Sequence, residues 1–240
     1  MSTASKTILI TGANRGIGRA MVHEALRRGA KRVYAGTRTG EIDISDPRLI
    51  PLALDVTNPV QIRQATEKVE ALDILVNNAG IAIYDNLGDL EVVQRHLDVN
   101  LFGMLRMTQA FLPQLKLSRG AVVNHLSIVA LASLPIISGY SLSKAGALNM
   151  TQSLRAQLAG HGVGVHAVLL GPIDTDMNRG LDIPKATTAS AAQNIFDGLE
   201  RGEEEIFPDP TSKSIADGWR NGVAKALERQ FAPFVPANAA

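Results

Sequence analysis

The chain has 240 residues, of which 45% are hydrophobic and 20% charged, and its formal net charge at neutral pH is +1. These values are typical of a single folded domain large enough to bury a sizeable core. The balanced charge gives no indication of a nucleic acid or an anionic membrane surface as a partner. The absence of cysteine excludes disulfide bonds, thiolate catalysis and cysteine-ligated metal sites.

The two ends of the sequence show no targeting or anchoring pattern. Residues 1–6 are polar, and a strand-like run follows directly. No apolar stretch is long enough for a signal-peptide core or a membrane span, so we expect a cytoplasmic protein. Residues 233–240 contain several alanines and prolines, and we expect them to form a flexible tail.

A strand, a glycine-rich turn and a helix open the chain. The apolar run over 7–10 predicts a strand buried on both faces, and a helical pattern runs from Gly16 to Arg28. Between them, Gly12, Gly16 and Gly18 allow backbone N–H groups to approach an anion at a helix N-terminus, which predicts a phosphate-binding turn. The spacing differs from the commonest dinucleotide fingerprint, and the alternative is a tight turn that only packs the helix on the sheet.

The end of the second predicted strand, over 32–36, indicates which dinucleotide would bind. Thr37 and Arg38 follow this strand, at the place where an acidic residue binds the ribose in NAD-binding units. An arginine there favours the 2′-phosphate of NADP, and Arg15 in the glycine turn could join it from the other side. The alternatives are that both arginines are solvated loop charges and that the cofactor is NAD.

Strand and helix patterns alternate along the rest of the chain. Further strands are predicted over 52–54, 74–76, 121–124, 163–170 and 205–207, and helices over 59–70, 89–116, 140–159, 191–201 and 214–230. This alternation predicts an α/β fold, namely a single-domain, doubly wound, Rossmann-like parallel sheet of about seven strands over residues 1–240. Residues 175–190 are predicted to form a loop that covers a substrate site.

The candidate functional segments follow the predicted strands directly. They are Gly12–Gly18, Arg38, Asp55, Asn78–Gly80, Ser127 and Ile173–Thr175. Right-handed crossovers place the carboxyl ends of parallel strands along one edge of the sheet, and open parallel sheets bind ligands there. We therefore expect these segments to meet in one site.

Tyr140 and Lys144 are one helical turn apart, so they share a face of the predicted helix. A free tyrosine has a pKa near 10, and a nearby ammonium favours the phenolate. We therefore expect Lys144 to lower the pKa of the Tyr140 phenol, which would suit the phenol to general acid–base catalysis. A surface pair without function is the alternative when these two residues are considered alone.

Taken together, these residues resemble the short-chain dehydrogenase/reductase family over about residues 7–177. The matching elements are Thr11-Gly12-x-x-x-Gly16-x-Gly18, Asn78-Ala79-Gly80, Asn100, Ser127 and Tyr140-x-x-x-Lys144, with Ser127 thirteen positions before Tyr140. The resemblance implies that Tyr140 is the proton donor or base, that Ser127 binds the substrate oxygen, and that Lys144 binds the nicotinamide ribose and lowers the tyrosine pKa. It also implies that Asn100 holds a water molecule at a helix irregularity.

The cofactor-binding residues that the motifs and the resemblance predict lie at the same strand ends. They are Gly12, Asn14, Arg15, Gly16, Ile17, Gly18, Thr37, Arg38, Asp55, Val56, Asn78, Ala79, Gly80, Tyr140, Lys144, Ile173 and Thr175. Of these, Asp55 and Val56 would meet the adenine, and Ile173 and Thr175 the nicotinamide and phosphate end. The histidines show no ligand spacing, so no metal site is predicted, and His125 is expected to be a packed residue.

The resemblance implies an oxidoreductase that transfers a hydride between NADP(H) and a carbonyl/secondary alcohol pair, and a homodimer or homotetramer. Apolar residues near the site favour an apolar ketone or aldehyde as the small-molecule substrate. These residues are Val129, Leu131, Leu134, Ile136, Ile137, Met177 and Leu181. The alternatives are an NADP-binding regulatory protein without catalysis and an NAD-dependent alcohol dehydrogenase.

The sequence departs from the family pattern in three places. Leu170 precedes Gly171 where proline is usual, and Leu126 stands where a small hydroxyl residue is common, which predicts a more apolar pocket edge. The C-terminal part ends in a predicted amphipathic helix instead of a glycine-rich strand. In that part we expect residues 203–205 to form a solvated turn, and Trp219 and Phe231 to anchor the last helix.

Overall fold

The computed structural model describes residues 1–235, so residues 236–240 of the predicted tail lie outside the described residues. Within residues 1–235 one seven-stranded, fully parallel sheet has the order β3-β2-β1-β4-β5-β6-β7. The strands are β1 Thr7–Thr11, β2 Arg32–Thr37, β3 Leu49–Ala53, β4 Ile74–Asn77, β5 Ala121–His125, β6 Gly164–Val168 and β7 Glu205–Ile206. The predicted Rossmann-like sheet is confirmed.

Helices cover both faces of the sheet. They are α1 Gly16–Arg27, α2 Pro59–Lys68, α3 Leu90–Leu97, α4 Met104–Ser118, α5 Ser138–Ala159, α6 Thr188–Glu200, α7 Pro210–Lys213, α8 Ala216–Arg220 and α9 Val223–Phe231. Capping residues fix two of the predicted starts, since the side chain of Asn58 caps α2 and that of Asp89 caps α3. In the part of the chain that the structure describes, no helix is both long and apolar enough to cross a membrane.

Two apolar layers explain the continuous hydrophobic runs of the strands. Successive strand residues point to opposite faces, so Ile8 and Ile10 join one buried cluster and Leu9 joins another. The first cluster includes residues of α1 and α6, and the second includes residues of α2 and α4. This packing leaves the carboxyl ends of the strands free to form a site.

Three predicted boundaries are wrong because pairing and local backbone geometry override the pattern. Strand β3 begins at Leu49, three residues before the predicted start, because it pairs with β2 from Leu49↔Val33 onward. It contains Pro51, which an edge strand tolerates. The predicted helix over 89–116 is interrupted by a π-helix, Asp98–Gly103, between α3 and α4. Strand β6 ends at Val168, two residues short of the prediction.

The predicted final helix over 214–230 is also wrong, because two short helices, α8 and α9, replace it. Gly222 has an extended backbone (φ −83°, ψ 163°) and begins α9, and a Cβ on it would lie 2.7 Å from the carbonyl oxygen of Gly218. Trp219 packs against a buried cluster with Phe207, as expected of an anchor. Phe231 is exposed and does not anchor the helix.

The expected solvated turn at residues 203–205 is wrong at Glu205, which lies in β7 and is buried. The ammonium of Lys225 on α9 is also buried and lies between three carboxylates. Its Nζ is 2.7 Å from Glu204, 2.9 Å from Glu205 and 3.0 Å from Glu228. This ion cluster joins the C-terminal segment to the sheet.

Candidate active site

The glycine-rich turn between β1 and α1 has the geometry of an anion cradle. Gly12 and Gly16 have positive φ angles of 65° and 54°, which residues with a side chain rarely adopt. A Cβ on Gly18 would lie 2.2 Å from the carbonyl oxygen of Gly12, so only glycine fits there. The turn therefore brings backbone N–H groups and the N-terminus of α1 to the edge of the sheet.

Asn78 and Thr11 fix this turn to the end of β4. The Asn78 side-chain amide donates to the carbonyl oxygens of Thr11 (2.8 Å) and Gly12 (3.1 Å). The Thr11 hydroxyl accepts from the backbone N–H groups of Asn78 and Ala79, each at 3.0 Å. Thr11 is therefore a site residue. It belongs to the sequence motif but not to the predicted cofactor-binding residues. Its position at the end of a predicted strand is the signal that could have identified it.

His125 connects the glycine turn to the lysine on α5. Its Nδ1 lies 3.0 Å from Asn78 Oδ1, which orients the Asn78 amide toward the turn. Its carbonyl oxygen accepts a hydrogen bond of 2.7 Å from Lys144 Nζ. Burial and the nearby Lys144 ammonium lower the pKa of His125 to about 3, so this imidazole is neutral. The expectation of a packed histidine is confirmed. The link that His125 makes between Asn78 and Lys144 was not predicted from the sequence.

Tyr140, Lys144 and Ser127 come together as predicted. Lys144 Nζ lies 5.5 Å from the centroid of the Tyr140 ring, and the Ser127 side chain is close enough to the phenol to lower its pKa by hydrogen bonding. Ser127 Oγ also donates to the carbonyl oxygen of Leu170 at 3.2 Å. The Leu170 carbonyl also accepts a hydrogen bond from the N–H of Ile128. The backbone at Leu170, where the family usually has proline, is therefore hydrogen-bonded to the segment just after β5.

The expected lowering of the Tyr140 pKa by Lys144 is wrong. Tyr140 as a whole is half-buried, but burial around its hydroxyl raises the pKa of the phenol to about 12 despite the opposing effect of Ser127. Burial also lowers the pKa of the Lys144 ammonium to about 8. At neutral pH the phenol is therefore protonated and can donate a proton.

Asn100 lies in the π-helix and is fully buried. Its side chain accepts from Ile81 N–H and donates to the Ile81 carbonyl, both at 2.9 Å, and it donates to Ser143 Oγ at 3.0 Å. A Cβ on Gly80 would lie 3.2 Å from Asn100 Oδ1 and 3.8 Å from Lys144 Nζ, so the three residues are neighbours. The helix irregularity that the resemblance implied at Asn100 is present.

The segment after β6 closes the other side of the site. Thr175 faces the glycine turn, since a Cβ on Gly16 would lie 3.3 Å from Thr175 Cγ2. A bridge between Ile173 and Ala186 ties together the base of the loop, with Asp174 N–H donating to the Ala186 carbonyl at 2.9 Å. The predicted 175–190 loop is shorter than expected, because α6 begins at Thr188.

The residues predicted to meet the adenosine half lie at the ends of β2 and β3. Arg38 and Arg15 are exposed, and Arg15 lies 3.7 Å from Asp176. Thr37 is buried, and its Oγ1 has no hydrogen-bond partner among the described residues. Asp55 is half-buried and binds the N–H of Thr57, whereas Val56 is buried against Gly103.

Two further predicted cofactor residues flank the glycine turn. The prediction that Leu126 forms an apolar edge of the pocket is wrong. Asn14 is exposed and Ile17 half-buried, both beside the glycines. Leu126 is buried in a cluster with Met104 and Leu148, so it does not make the pocket edge more apolar.

The glycine turn and these side chains lie together at the carboxyl edge of a Rossmann-like sheet, where such folds bind dinucleotides. The model of the short chain dehydrogenase family matches residues 6–185. The chain therefore belongs to the short-chain dehydrogenase family.

Relatives with known names or structures cover most of the chain. A short chain dehydrogenase from Burkholderia cenocepacia, solved in complex with NADP, is 37% identical and has a TM-score of 0.88, covering 98% of this chain and 100% of that chain. The 3-oxoacyl-[acyl-carrier-protein] reductase FabG of Vibrio cholerae is 35% identical over 80% of this chain and 83% of its own length. The 11-beta-hydroxysteroid dehydrogenase 1A of Arabidopsis thaliana is 31% identical over 92% of this chain and 66% of its own length.

Proposed function

We propose that this protein is an NADP(H)-dependent oxidoreductase that interconverts a carbonyl compound and a secondary alcohol. The observation that carries the proposal is the convergence of Tyr140, Lys144 and Ser127 beside a glycine cradle at the carboxyl edge of the sheet. Each predicted catalytic group then has a task. Tyr140 donates the proton, Ser127 binds the substrate oxygen, and Lys144 binds the ribose of the cofactor.

In the direction of carbonyl reduction, the site needs a proton donor beside the substrate oxygen. NADPH, when bound, supplies the hydride. Negative charge then grows on the carbonyl oxygen, and the Tyr140 hydroxyl would donate to it, as would the Ser127 hydroxyl after turning from the Leu170 carbonyl. With a pKa of about 12, the Tyr140 phenol carries its proton at neutral pH. The buried Lys144 ammonium lies near the ring and would stabilise the phenolate that remains.

The chain's own residues fit a phosphorylated dinucleotide. Only glycine fits at Gly18, and the positive φ angles at Gly12 and Gly16 open the backbone toward an anion. Arg38 is exposed at the end of β2, and among the described residues no acidic side chain forms an ion pair with it. A free guanidinium there suits the 2′-phosphate that distinguishes NADP from NAD.

The residues beside the site favour an apolar substrate. Leu134 and Ile136, just before α5, are exposed, as are Met177 and Ile183 in the loop after β6. Exposed aliphatic side chains on both flanks of a catalytic group suit a ligand that buries them. We therefore propose an aliphatic or aromatic ketone or aldehyde as the substrate, and residues 175–187 as the loop that covers it.

A homo-oligomer belongs to the same proposal. Phe102 in the π-helix and Leu142 on α5 are both exposed, and these two helical segments pack against each other. Exposed large apolar residues on adjacent helices favour association with another copy of the chain. Sedimentation analysis of the wild type and of Phe102→Ser/Leu142→Ser tests this, since a monomer in both would contradict it.

The enzymatic test mixes the protein with NADPH and a panel of apolar ketones, aldehydes, sugars and charged keto acids, and follows the loss of NADPH absorbance. We expect turnover with apolar carbonyl compounds, and we expect Tyr140→Phe to abolish it while NADPH affinity changes little. Binding of NADPH without turnover of any compound would reject the proposal in favour of a non-catalytic NADP-binding protein. Faster turnover of sugars would reject only the substrate class.

A further inference from the structure

Helix α5, which carries Tyr140, begins without a capping side chain of its own. The residue at its N-cap position is Ile137, whose side chain cannot form a hydrogen bond. Instead, the carboxylate of Asp85, 54 positions earlier in the chain, accepts the N–H of Gly139 through both oxygens at 2.9 and 3.1 Å. An acidic group at a helix N-terminus satisfies free N–H groups and interacts favourably with the helix dipole. Asp85 therefore caps this helix from another segment.

The backbone of Asp85 is attached to the same place. Its N–H donates to the carbonyl oxygen of Ile136 at 3.1 Å, and a short bridge pairs Asp85 with Ile137. The Asp85 side chain is 3% exposed. The loop after β4 and the residues that lead into α5 are therefore joined at both backbone and side-chain level, immediately before the catalytic tyrosine.

His96 fills the space between this cap and the phenol ring. It is completely buried, and its ring meets the Tyr140 ring edge-on, with centroids 6.3 Å apart and planes at 70°. Its Nε2 accepts the N–H of Ile83 at 2.9 Å, which places the ring proton of the neutral imidazole on Nδ1, 4.0 Å from Asp85 Oδ2. Such edge-to-face contacts are favourable and directional, so they restrict the ring orientation.

Gly139 shows that these groups are packed as one unit. A Cβ on Gly139 would lie 2.9 Å from His96 Nδ1 and 3.2 Å from Asp85 Oδ2, both closer than real Cβ atoms usually approach. The residue before Tyr140 must therefore lack a side chain for α5 to sit on Asp85 and His96. Asn100, one turn after His96, binds Ser143 one turn further along α5, so the two helices are joined at successive turns.

We propose that Asp85 and His96 are positioning residues for the reaction, with Asp85 fixing the first turn of α5 and His96 fixing the ring of Tyr140. The kinetic test of this inference rests on the proposed function. In the proposed function, neither Asp85 nor His96 has a direct role toward the cofactor or the substrate oxygen. A small displacement of a catalytic group costs up to about a hundredfold in rate, so loss of either residue should lower kcat more than KM.

The kinetic experiment compares Asp85→Ala with Asp85→Asn, which keeps an oxygen acceptor for Gly139, and His96→Ala with His96→Phe, which keeps an aromatic edge. The matched control is Asn58→Ala, which removes the cap of α2 at Val60 N–H (3.0 Å), a helix that carries neither residue. We expect the two alanine variants to lower kcat about 10- to 100-fold. KM and the dissociation constant for NADPH should stay within about twofold of wild type, with Asp85→Asn and His96→Phe recovering most of the kcat. A kcat loss no larger than that of Asn58→Ala would overturn the proposal.

A spectroscopic arm keeps this test separate from the proposed function. In protein with ring-labelled tyrosine, NMR signals of Tyr140 can be assigned from the signal that Tyr140→Phe removes. Asp85→Ala and Asp85→Asn both leave His96 in place, so ring currents from that residue do not confuse the comparison. We expect Asp85→Ala to shift or broaden the Tyr140 signals and Asn58→Ala and Asp85→Asn to leave them near wild type. Should the wild type reduce no carbonyl compound, an unmoved Tyr140 signal in Asp85→Ala would by itself overturn the positioning role.

Discussion

Lys144 donates from its buried Nζ to the backbone carbonyl of His125 at 2.7 Å. This single hydrogen bond fixes the position of the ammonium near Tyr140, but it leaves the charge in surroundings that lower the pKa of Lys144 from 10.5 to about 8. The protein therefore keeps a destabilising charge in its core at neutral pH, as functional sites often do. Two predictions follow from the direction of this shift.

Lys144→Met should stabilise the cofactor-free protein at pH 7 and abolish turnover. The shift from 10.5 to about 8 corresponds to up to about 3 kcal/mol that folding loses by burying the charge. Because the unfolded state binds more protons between pH 8 and 10.5, wild-type stability should rise over that window, whereas the variant should lack this rise. Urea unfolding at pH 7 and pH 10 measures both. A variant less stable than wild type at pH 7 would contradict this account.

The affinity for NADPH should fall as the pH rises through about 8. The proposed contact between Lys144 and the ribose needs the ammonium, and the free protein loses this charge at its lowered pKa. The fall can reach about tenfold per pH unit. Fluorescence titration of NADPH between pH 6.5 and 9.5 measures it. Tyr140→Phe should keep the same dependence, and an equal dependence in Lys144→Met would assign it to another group.

Gly18→Ala should weaken cofactor binding and destabilise the protein, although alanine normally favours a helix. The new Cβ would lie 2.2 Å from the Gly12 carbonyl oxygen and 2.5 Å from Asn78 Nδ2, so the turn must move. Gly160→Ala is the control, because its Cβ would meet no atom within 4 Å. We expect the control to match wild type in melting temperature and NADPH affinity. Equal behaviour of the two variants would show that the turn is not close-packed.

Arg38→Asp should shift the preference from NADPH toward NADH. An aspartate at the end of β2 repels the 2′-phosphate and can bind free ribose hydroxyls, as acidic residues do in NAD-binding units. Arg32→Asp is the control, since Arg32 is exposed at the opposite end of the same strand. The ratio of kcat/KM for the two cofactors measures the effect. An unchanged ratio in Arg38→Asp would disprove the assigned role of this arginine.

Lys225→Met should lower the free energy of unfolding by about 2–3 kcal/mol, because it removes one of the two cations that contact buried Glu205 and leaves only Arg155, at 2.9 Å. Hydrogen bonds to Glu204 and Glu205 raise the pKa of Lys225 in spite of burial. The stabilisation is therefore complete below the unfolded value of about 10.4 and is lost as the pH rises through the folded value. Arg220→Met, which breaks the exposed pair with Asp217, should cost at most about 1 kcal/mol. Similar losses in both variants would contradict the buried cluster.

The order and type of most elements follow from the pattern of apolar and polar residues. Apolar runs such as residues 7–10 predict buried parallel strands because both faces of such a sheet are covered, and strand alternation with helices then implies one ligand-binding edge. The residues at the strand ends can therefore be grouped from the sequence alone. Local pattern was insufficient where pairing or packing decides, as at the early start of β3 and the break at Gly222.

The pKa values of the site and the contacts that support it depend on three-dimensional packing. A spacing of four residues places Lys144 beside Tyr140, but the pKa of each group depends on how much water surrounds it, and burial raises one value and lowers the other. The contacts of His125 with Asn78, and of Asp85 with Gly139, join residues 47 and 54 positions apart. No periodicity in the chain records such contacts, because they arise when separate strands and loops pack at one edge of the sheet.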